Sequence, residues 1–449
     1  MRTFSTRIVR TLRVAPLAIL LAAAPGFAQE APNPPIDAAR KQAVVEDIAR
    51  EFNRSYVFPE TAKKVEERLR TRLARGDYDA EKTARQFAQA VSKDILEVTA
   101  DRHTGFTFAP EVAEDIRRMS SRNEDEVRQA RDRQVAVSRF NNFAFRRVEW
   151  MAGNVGYLDF RNFLPADAAG GTAVAALNFL AHCDALIIDL RQNGGGDPTM
   201  IQLISSYFFR EPAHLNDIYT RESNTTENYW TLPYVPGPRM ADAELYVLTS
   251  ARTFSAAEEF TYNLKNLMRA TIVGETTGGG AHPTDRRIVQ EDFVLRVPFA
   301  RSINPVSKTN WEGTGVSPDV AVPAAAAFDK AYELALEKVR ARASDPRARN
   351  QIDWVLTGLR ARTAKPSVDE QTLRSYAGTY GDRKVTFENG GLFYQRTGPK
   401  YRLVPLSATL FALDGMDSFR LEFVVKEGRA VEVVGLYDDG QREPSKRTM

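Results

Sequence analysis

The segment that most restricts the fold of this chain is Ala185-Leu186-Ile187-Ile188-Asp189-Leu190, a nearly unbroken apolar run that ends in Asn193-Gly194-Gly195-Gly196. A run without polar alternation fits a strand covered on both faces, and Asp197-Pro198 just beyond it reads as a helix start. The unit then repeats. A strand over Leu245 to Thr249 is followed by a helix from Ser255 to Met268, a strand from Ala270 to Val273 and the loop Thr276-Thr277-Gly278-Gly279-Gly280. Strand, helix and strand in this order predict an α/β core with a parallel sheet. Upstream, Val155 to Phe160 alternates like a strand and Ala173 to Leu180 reads as a helix.

The chain has 449 residues, which at roughly 100 to 200 residues per domain calls for two or three domains. Between Ile36 and Val98 apolar residues recur at helical spacing, with breaks at Tyr56-Val57-Phe58-Pro59 and Gly76-Asp77. This predicts a bundle of three helices ending at Asp101-Arg102-His103. Arg117 to Arg139 is charge-dense and reads as a surface helix or a crossing. Past Pro323 come helices over Ala324 to Ala341 and near Ile352 to Arg362, then the linker Lys365-Pro366-Ser367. Six strand-like runs follow: Tyr376 to Tyr380, Lys384 to Glu388, Gly391 to Arg396, Tyr401 to Leu406, Phe419 to Val425 and Val431 to Tyr437. The expected division is 1–28 leader, 29–110 helical domain, 111–152 connection, 153–325 α/β core, 326–366 helical linker and 367–449 a small all-β domain.

Arg2, Arg7, Arg10 and Arg13, the apolar run Val14 to Ala24, and small residues before Gln29 form the pattern of a secretory signal peptide cut after Ala28. Eleven apolar residues are well short of the roughly 20 that cross a bilayer. A periplasmic or secreted protein without a transmembrane segment after cleavage is expected. Losing four of the 61 basic residues with the leader brings them just below the 58 acidic ones, so no nucleic-acid partner is expected. Cys183 is the only cysteine, which excludes an internal disulfide and reads as a small buried hydrophobe. Four histidines and one thiol offer no metal-ligand cluster at usable spacing, so neither a metal nor another cofactor is expected.

Ser255 lies between a strand and a helix, where its hydroxyl meets the positive end of the helix dipole and the amide of Ala256 is placed to stabilise an oxyanion. Ser255 and Glu258 also form the S-x-x-E pattern of a capping box, which alone would explain both. Loops at the carboxyl ends of parallel strands converge on one rim, so Gly194, Gly195 and Gly196 form a substrate loop, with Gly195 the expected second oxyanion donor. A tight turn before a helix is the plainer account of the same glycines.

Taken in order, these pieces resemble the tail-specific, or C-terminal processing, serine protease family, including its interphotoreceptor-retinoid-binding-protein-like branch. The resemblance rests on Tyr56 to Pro59, Asp101-Arg102-His103, Leu186 to Gly196, Thr253 to Glu259, Val273 to Gly280 and Trp311-Glu312-Gly313-Thr314-Gly315-Val316-Ser317-Pro318-Asp319. It implies a crotonase-like α/β core with Ser255 as nucleophile. The lysine that better-known members pair with that serine aligns with Gly280, so a Ser-Lys dyad does not carry over. A second arrangement, that of the tricorn protease core, implies His103 as base and Glu312 as its orienting acid. Its serine before the histidine is Arg102 here, and His282 is the competing base.

No segment between His103 and Asn154 carries the glycine-rich signature of a PDZ insert. Arg191 fits a carboxylate ligand, or better a salt bridge that steadies the glycine loop. Tyr207-Phe208-Phe209 reads as core, and Tyr229-Trp230 with Tyr234 as core or pocket wall. The expected function is a serine peptidase that hydrolyses peptide or protein substrates through an acyl-enzyme. The alternatives are a non-catalytic module for a lipid, retinoid or peptide, which the joint presence of Ser255, His103 and Glu312 argues against, and a cell-envelope scaffold resting on the β tail.

Overall fold

In the computed structural model, which describes residues 33–448, the apolar run sits in the interior of a six-stranded sheet. The expected leader and its cleavage point lie outside the described residues. From edge to edge the strands are Val320–Ala321, Thr271–Gly274, Glu244–Thr249, Ala185–Asp189, Val155–Phe160 and Phe145–Met151. All neighbours are parallel except the last pair. Alternation along the strands sends Leu186 and Ile188 into one core with the helices Ala166–Phe179, Pro198–Ser206 and Ala256–Asn266. It sends Ala185 and Ile187 into a second core with Ala324–Arg342 and Pro346–Ala364. A strand buried on both faces cannot afford polar alternation, hence its composition. The helix Ala166–Phe179 begins well before the expected Ala173. Gly170 and Gly171 mask its start, and Gly170 packs near Leu203 where a larger residue would crowd.

The three expected helices form as Ala38–Ser55, Pro59–Ala74 and Ala84–Thr99, the last with a capping box from Thr83 and Gln86. Helices alone do not close this unit. An antiparallel sheet of Gly105–Phe108, Phe293–Pro298 and Thr284–Val289 lies on it, and Phe106, Phe293, Leu295 and Val297 join its core. Phe106 stacks on Phe293 with ring centroids 5.1 Å apart. Val57 adds a backbone bond to Pro298 at 2.9 Å. Pairing between segments some 190 residues apart leaves no local signature, so these strands were not foreseen.

Between these units lie the helices Pro110–Ser120 and Glu124–Phe140, and the second buries none of its residues, as a surface helix should. A further antiparallel sheet, Ala300–Ile303 with His214–Thr220 and Thr225–Trp230, was also unforeseen. Tyr207 and Phe208 are core, Trp230 stacks on His214, and Tyr234 is exposed.

The tail is an antiparallel meander of eight strands from Gly378–Tyr380 to Arg442–Lys446. It holds two strands beyond the six expected, Leu410–Leu413 and Arg442–Lys446. Tyr380 bridges Arg447, and the Thr448 amide donates to the Thr379 carbonyl at 2.9 Å, so the last strand returns to the first and the sheet is barrel-like. Tyr376 belongs to the short helix Glu370–Tyr376 rather than to a strand, and it stacks on Phe423 inside. Arg420 joins this unit to the helix Pro346–Ala364, stacking on Trp354 and donating to its carbonyl at 2.6 Å. No helix among the described residues is long and apolar enough to cross a membrane.

Phe106 is 1% exposed, and its replacement empties the seam between the bundle and the distant strands. Phe106→Ala should cost about 3–5 kcal/mol, read as a lower urea midpoint with an unchanged slope.

Candidate active site

Ser255 occupies a sharp turn between the strand Glu244–Thr249 and the helix Ala256–Asn266, with φ 54° and ψ −122°. A side-chain-bearing residue held there costs about 1–3 kcal/mol and needs surroundings that enforce it. They do so from several directions. The Phe254 amide donates to Asn193 O at 3.1 Å, the Thr253 hydroxyl to Leu190 O at 2.8 Å, and the Gly278 amide to Thr253 O at 2.9 Å. The buried Glu258 carboxylate takes the Ser255 amide at 2.8 Å, Gly279 at 2.6 Å, Gly280 at 2.9 Å and the Thr277 hydroxyl. Burial raises the Glu258 pKa, and these four donors pull it back. The Glu258 half of the capping box is thus real, and the same carboxylate ties the serine turn to the glycine loop.

The Asn193 side chain organises the triple-glycine loop, donating to Phe160 O at 3.0 Å and accepting from the Gly195 amide at 2.9 Å. A Cβ on Gly195, whose φ is +104°, would stand 2.8 Å from both the Ala256 nitrogen and the Ser255 Cβ. Glycine is needed for this approach. The expected oxyanion donor at Gly195 is corrected by the same geometry, because its amide is already engaged by Asn193. Ala256, at the first helical position, has no intrahelical carbonyl for its amide. Gly194 and Gly196 flank it and are exposed.

His103 comes to this rim because the strand that starts at Gly105 is sewn to Phe293–Pro298. Its backbone amide donates to Asp101 Oδ1 at 2.8 Å, and its ring packs on Phe254, the residue before the serine, at 4.8 Å between centroids. A Cβ at Gly280 would lie 2.5 Å from His103 Cε1 and 2.3 Å from Phe254 Cζ. The space a side chain at position 280 would enter is therefore filled by this imidazole. Arg102 donates to Gly278 O at 2.7 Å, locking the histidine turn to the same loop. Burial lowers the His103 pKa to about 4 against the opposing pull of Asp101, so the ring is neutral at physiological pH.

Glu312 does not contact His103 through any hydrogen bond among the described residues, and the expected pairing is corrected accordingly. Its Oε2 accepts from the Ala281 amide and lies 3.4 Å from His282 Nδ1, while Oε1 is buried without a partner. His282 Nδ1 is 2.7 Å from Asp101 Oδ2. Asp101 thus links both histidines, one through its backbone and one through its ring. Burial and the nearby Asp101 charge raise the Glu312 pKa to about 7, opposed by His282.

Asp101, His282 and Glu312 bring ligand-type atoms within 4.8 Å of one another, a convergence that spacing along the chain did not reveal. Asp101, Phe254, Asn193 and Thr277 were missed as site residues. Asp101 and Asn193 lie inside quoted motifs, but only the fold reveals what they hold. Arg191 pairs with Asp189 at 2.6 Å and caps Ala324 O at 2.7 Å, the structural role favoured for it. Cys183 is buried in the core, with its pKa raised to about 11 by burial.

Residues 154–322 match the model of Peptidase family S41. The family matched over that span is one of serine-type peptidases. Among solved structures, a candidate peptidase from Parabacteroides merdae is 18% identical, with a TM-score of 0.45 over 63% of this chain and 90% of that one. The photosystem II D1 C-terminal processing protease is 17% identical, with a TM-score of 0.42 over 63% and 93%. The tricorn protease is 14% identical, with a TM-score of 0.42 over 72% of this chain and 37% of that one.

Two outcomes follow from this geometry. Gly280→Ala should displace His103 and lower the rate of serine labelling at least about tenfold. Gly194→Ala, where an added Cβ meets nothing within 4 Å, should leave the melting temperature unchanged. The Glu312 carboxyl binds its proton more tightly folded than unfolded, so its contribution to stability is present below pH 4.5 and is lost as pH rises towards about 7. Glu312→Gln should flatten the fall in denaturant midpoint between about pH 5 and pH 8, and an unchanged slope would place the proton elsewhere.

Proposed function

We propose that the protein is an exported peptidase with a crotonase-like core, cleaving peptide bonds through an acyl-enzyme on Ser255. The observation that carries this reading is the imidazole of His103 in the space beside Gly280, against the residue that precedes a serine held in a strained turn. Ser255 and Gly280 share one Glu258 oxygen through their amides, which brings the histidine to the serine's side of the loop. A neutral imidazole suits a base, since it has a free lone pair to accept the hydroxyl proton.

In the first step His103 takes the Ser255 proton as the hydroxyl oxygen attacks the substrate carbonyl carbon, and the negative oxygen settles on the Ala256 amide. His103 returns the proton to the leaving amine as the C–N bond breaks. Water then repeats the sequence, and the acid product leaves. Asp101 positions His103 through its backbone, while its other oxygen meets His282, which also faces Glu312. Export rests on the leader pattern of residues 1–28.

The test is intact-mass labelling with a fluorophosphonate. The mature protein should take up one equivalent, Ser255→Ala none, and His103→Ala should react at least about a hundredfold more slowly. The wild-type rate should rise with pH around 4 to 5, below the ordinary imidazole range, because the base form of His103 persists to about 4. Folded protein that takes up no label would overturn the reading and return the chain to ligand binding.

A further inference from the structure

A neutral imidazole that takes a proton on one ring nitrogen carries its own proton on the other, and that second N–H needs an acceptor once the ring becomes a cation. In His103 the Nδ1 atom is buried and has no hydrogen-bond partner. Glu312, the acid that residue order offers, is held by the Ala281 amide and faces His282 instead. The carboxylate that does stand near is Asp101, whose Oδ1 lies 3.9 Å from His103 Nδ1. Nδ1 is thus on the Asp101 side of the ring, which leaves Nε2 for the serine.

Asp101 is 1% exposed and sits in a closed turn, where the Thr104 hydroxyl donates to its carbonyl at 2.7 Å and its own amide donates to Thr99 Oγ1 at 3.3 Å. Its Oδ1 accepts the His103 amide at 2.8 Å, and its Oδ2 is 2.7 Å from His282 Nδ1. An Asx turn alone would account for the amide bond, but neither for the second oxygen nor for the orphaned ring nitrogen. An ionised carboxylate offers about four acceptor positions on its two oxygens, so Oδ1 has room for a second donor. With Oδ2 clamped by His282 the carboxylate cannot swing away. Closing the gap by about 1 Å would give a charge-assisted bond of about 2.7–2.9 Å, the kind of tightening catalytic hydrogen bonds undergo when substrate binds. The charges facing His103 are Asp101 on its own turn, His282 on the glycine loop and Arg296 on the paired strand, and of these only Asp101 favours the cation. Tyr56 and Glu312 also stand within reach of the Asp101 charge.

We propose that Asp101 is the carboxylate partner of the His103 ring, its Oδ1 accepting from Nδ1 as the imidazolium forms, in the place that residue order gives to Glu312. The proposal rests on the peptidase reading. In the attack step the proton leaves Ser255 Oγ for His103 Nε2, the Nδ1 proton stays on its nitrogen, and Asp101 remains an anion throughout. Asp101 is a positioning residue in this scheme, fixing the tautomer and orientation of the base and balancing its charge, while His282 holds Asp101 in place.

The test is the rate of fluorophosphonate labelling of the mature chain, followed by intact mass as a function of pH. Asp101→Asn keeps an oxygen for the His103 amide and removes only the charge. Labelling should slow at least about a hundredfold. The midpoint of the remaining rate should move to lower pH, because the one anion that favours the His103 cation against burial, His282 and Arg296 is gone. A residue needed only to shape the turn would leave that midpoint in place. Asp101→Glu, which restores the charge, should recover part of the rate, and Glu312→Gln should slow labelling far less than Asp101→Asn. Wild-type rate and midpoint in Asp101→Asn, or a larger loss in Glu312→Gln, would overturn the proposal. Should Asp101→Asn fail to fold, as read from its melting temperature, wild type alone decides: its phosphonylated form, with heavy nitrogen in the histidines, should show a slowly exchanging proton on His103 Nδ1 by NMR, and a rapidly exchanging one would overturn the pairing. Wild type that takes up no label removes the peptidase reading and this proposal with it, whereas labelled wild type beside an indifferent Asp101→Asn removes the proposal alone.

Discussion

Much of this structure depends on one buried carboxylate. Glu258 gathers the amides of Ser255, Gly279 and Gly280 and the hydroxyl of Thr277. These donors belong to two loops that neither helix nor sheet bonds would otherwise join. Burying a carboxylate is costly, and only a full set of donors makes it tolerable. Once the set is complete, relaxing the serine turn would take the Ser255 amide from a buried carboxylate and leave its set of donors one short. The strain at Ser255 and the burial of Glu258 therefore sustain each other.

The rest of the site is assembled around that clamp from three stretches of chain. Asp101 and His103 arrive at the end of the helical bundle, His282 on the glycine loop, and Glu312 on the turn that follows the paired strands. The two histidines differ in what holds them. His103 is anchored through its backbone and packed on Phe254, leaving its nitrogens uncommitted, whereas His282 is bound by Nδ1 to Asp101. An uncommitted imidazole suits proton transfer, and a committed one suits structure. Arg102 donates to Gly278 O and so fixes the histidine turn to the glycine loop.

What could be read directly from the residues was whatever depends on neighbours in the chain. The fully buried strand Ala185–Asp189, the helix after Ser255, the three N-terminal helices and most of the β tail have local periodicity and local breaks. What stayed hidden was pairing at long range. Gly105–Phe108 looks like the end of a helical segment until Phe293–Pro298 lies beside it, and His214–Thr220 carries too many polar residues to stand out as a strand. At the site, type and order of residues pointed to Ser255 and His103, but partners could not be read that way. Glu312 was assigned to His103 and instead faces His282, and the Gly195 amide was offered to substrate and instead bonds Asn193. Both corrections concern hydrogen bonds, whose choice among nearby acceptors depends on tenths of an ångström.

The seam between Gly105–Phe108 and Phe293–Pro298 also bears on the order of events as the chain is made. Synthesis proceeds from the amino end at about 5–20 residues per second, so the segment bearing His103 emerges well before the strand that holds it in place. Ser255 follows, and still the turn that precedes Gly105 has no partner. Only after residue 298 is free can the imidazole be drawn against Phe254. A growing chain therefore carries Ser255 and His103 for several seconds before the strand pairing that brings them to one rim can form.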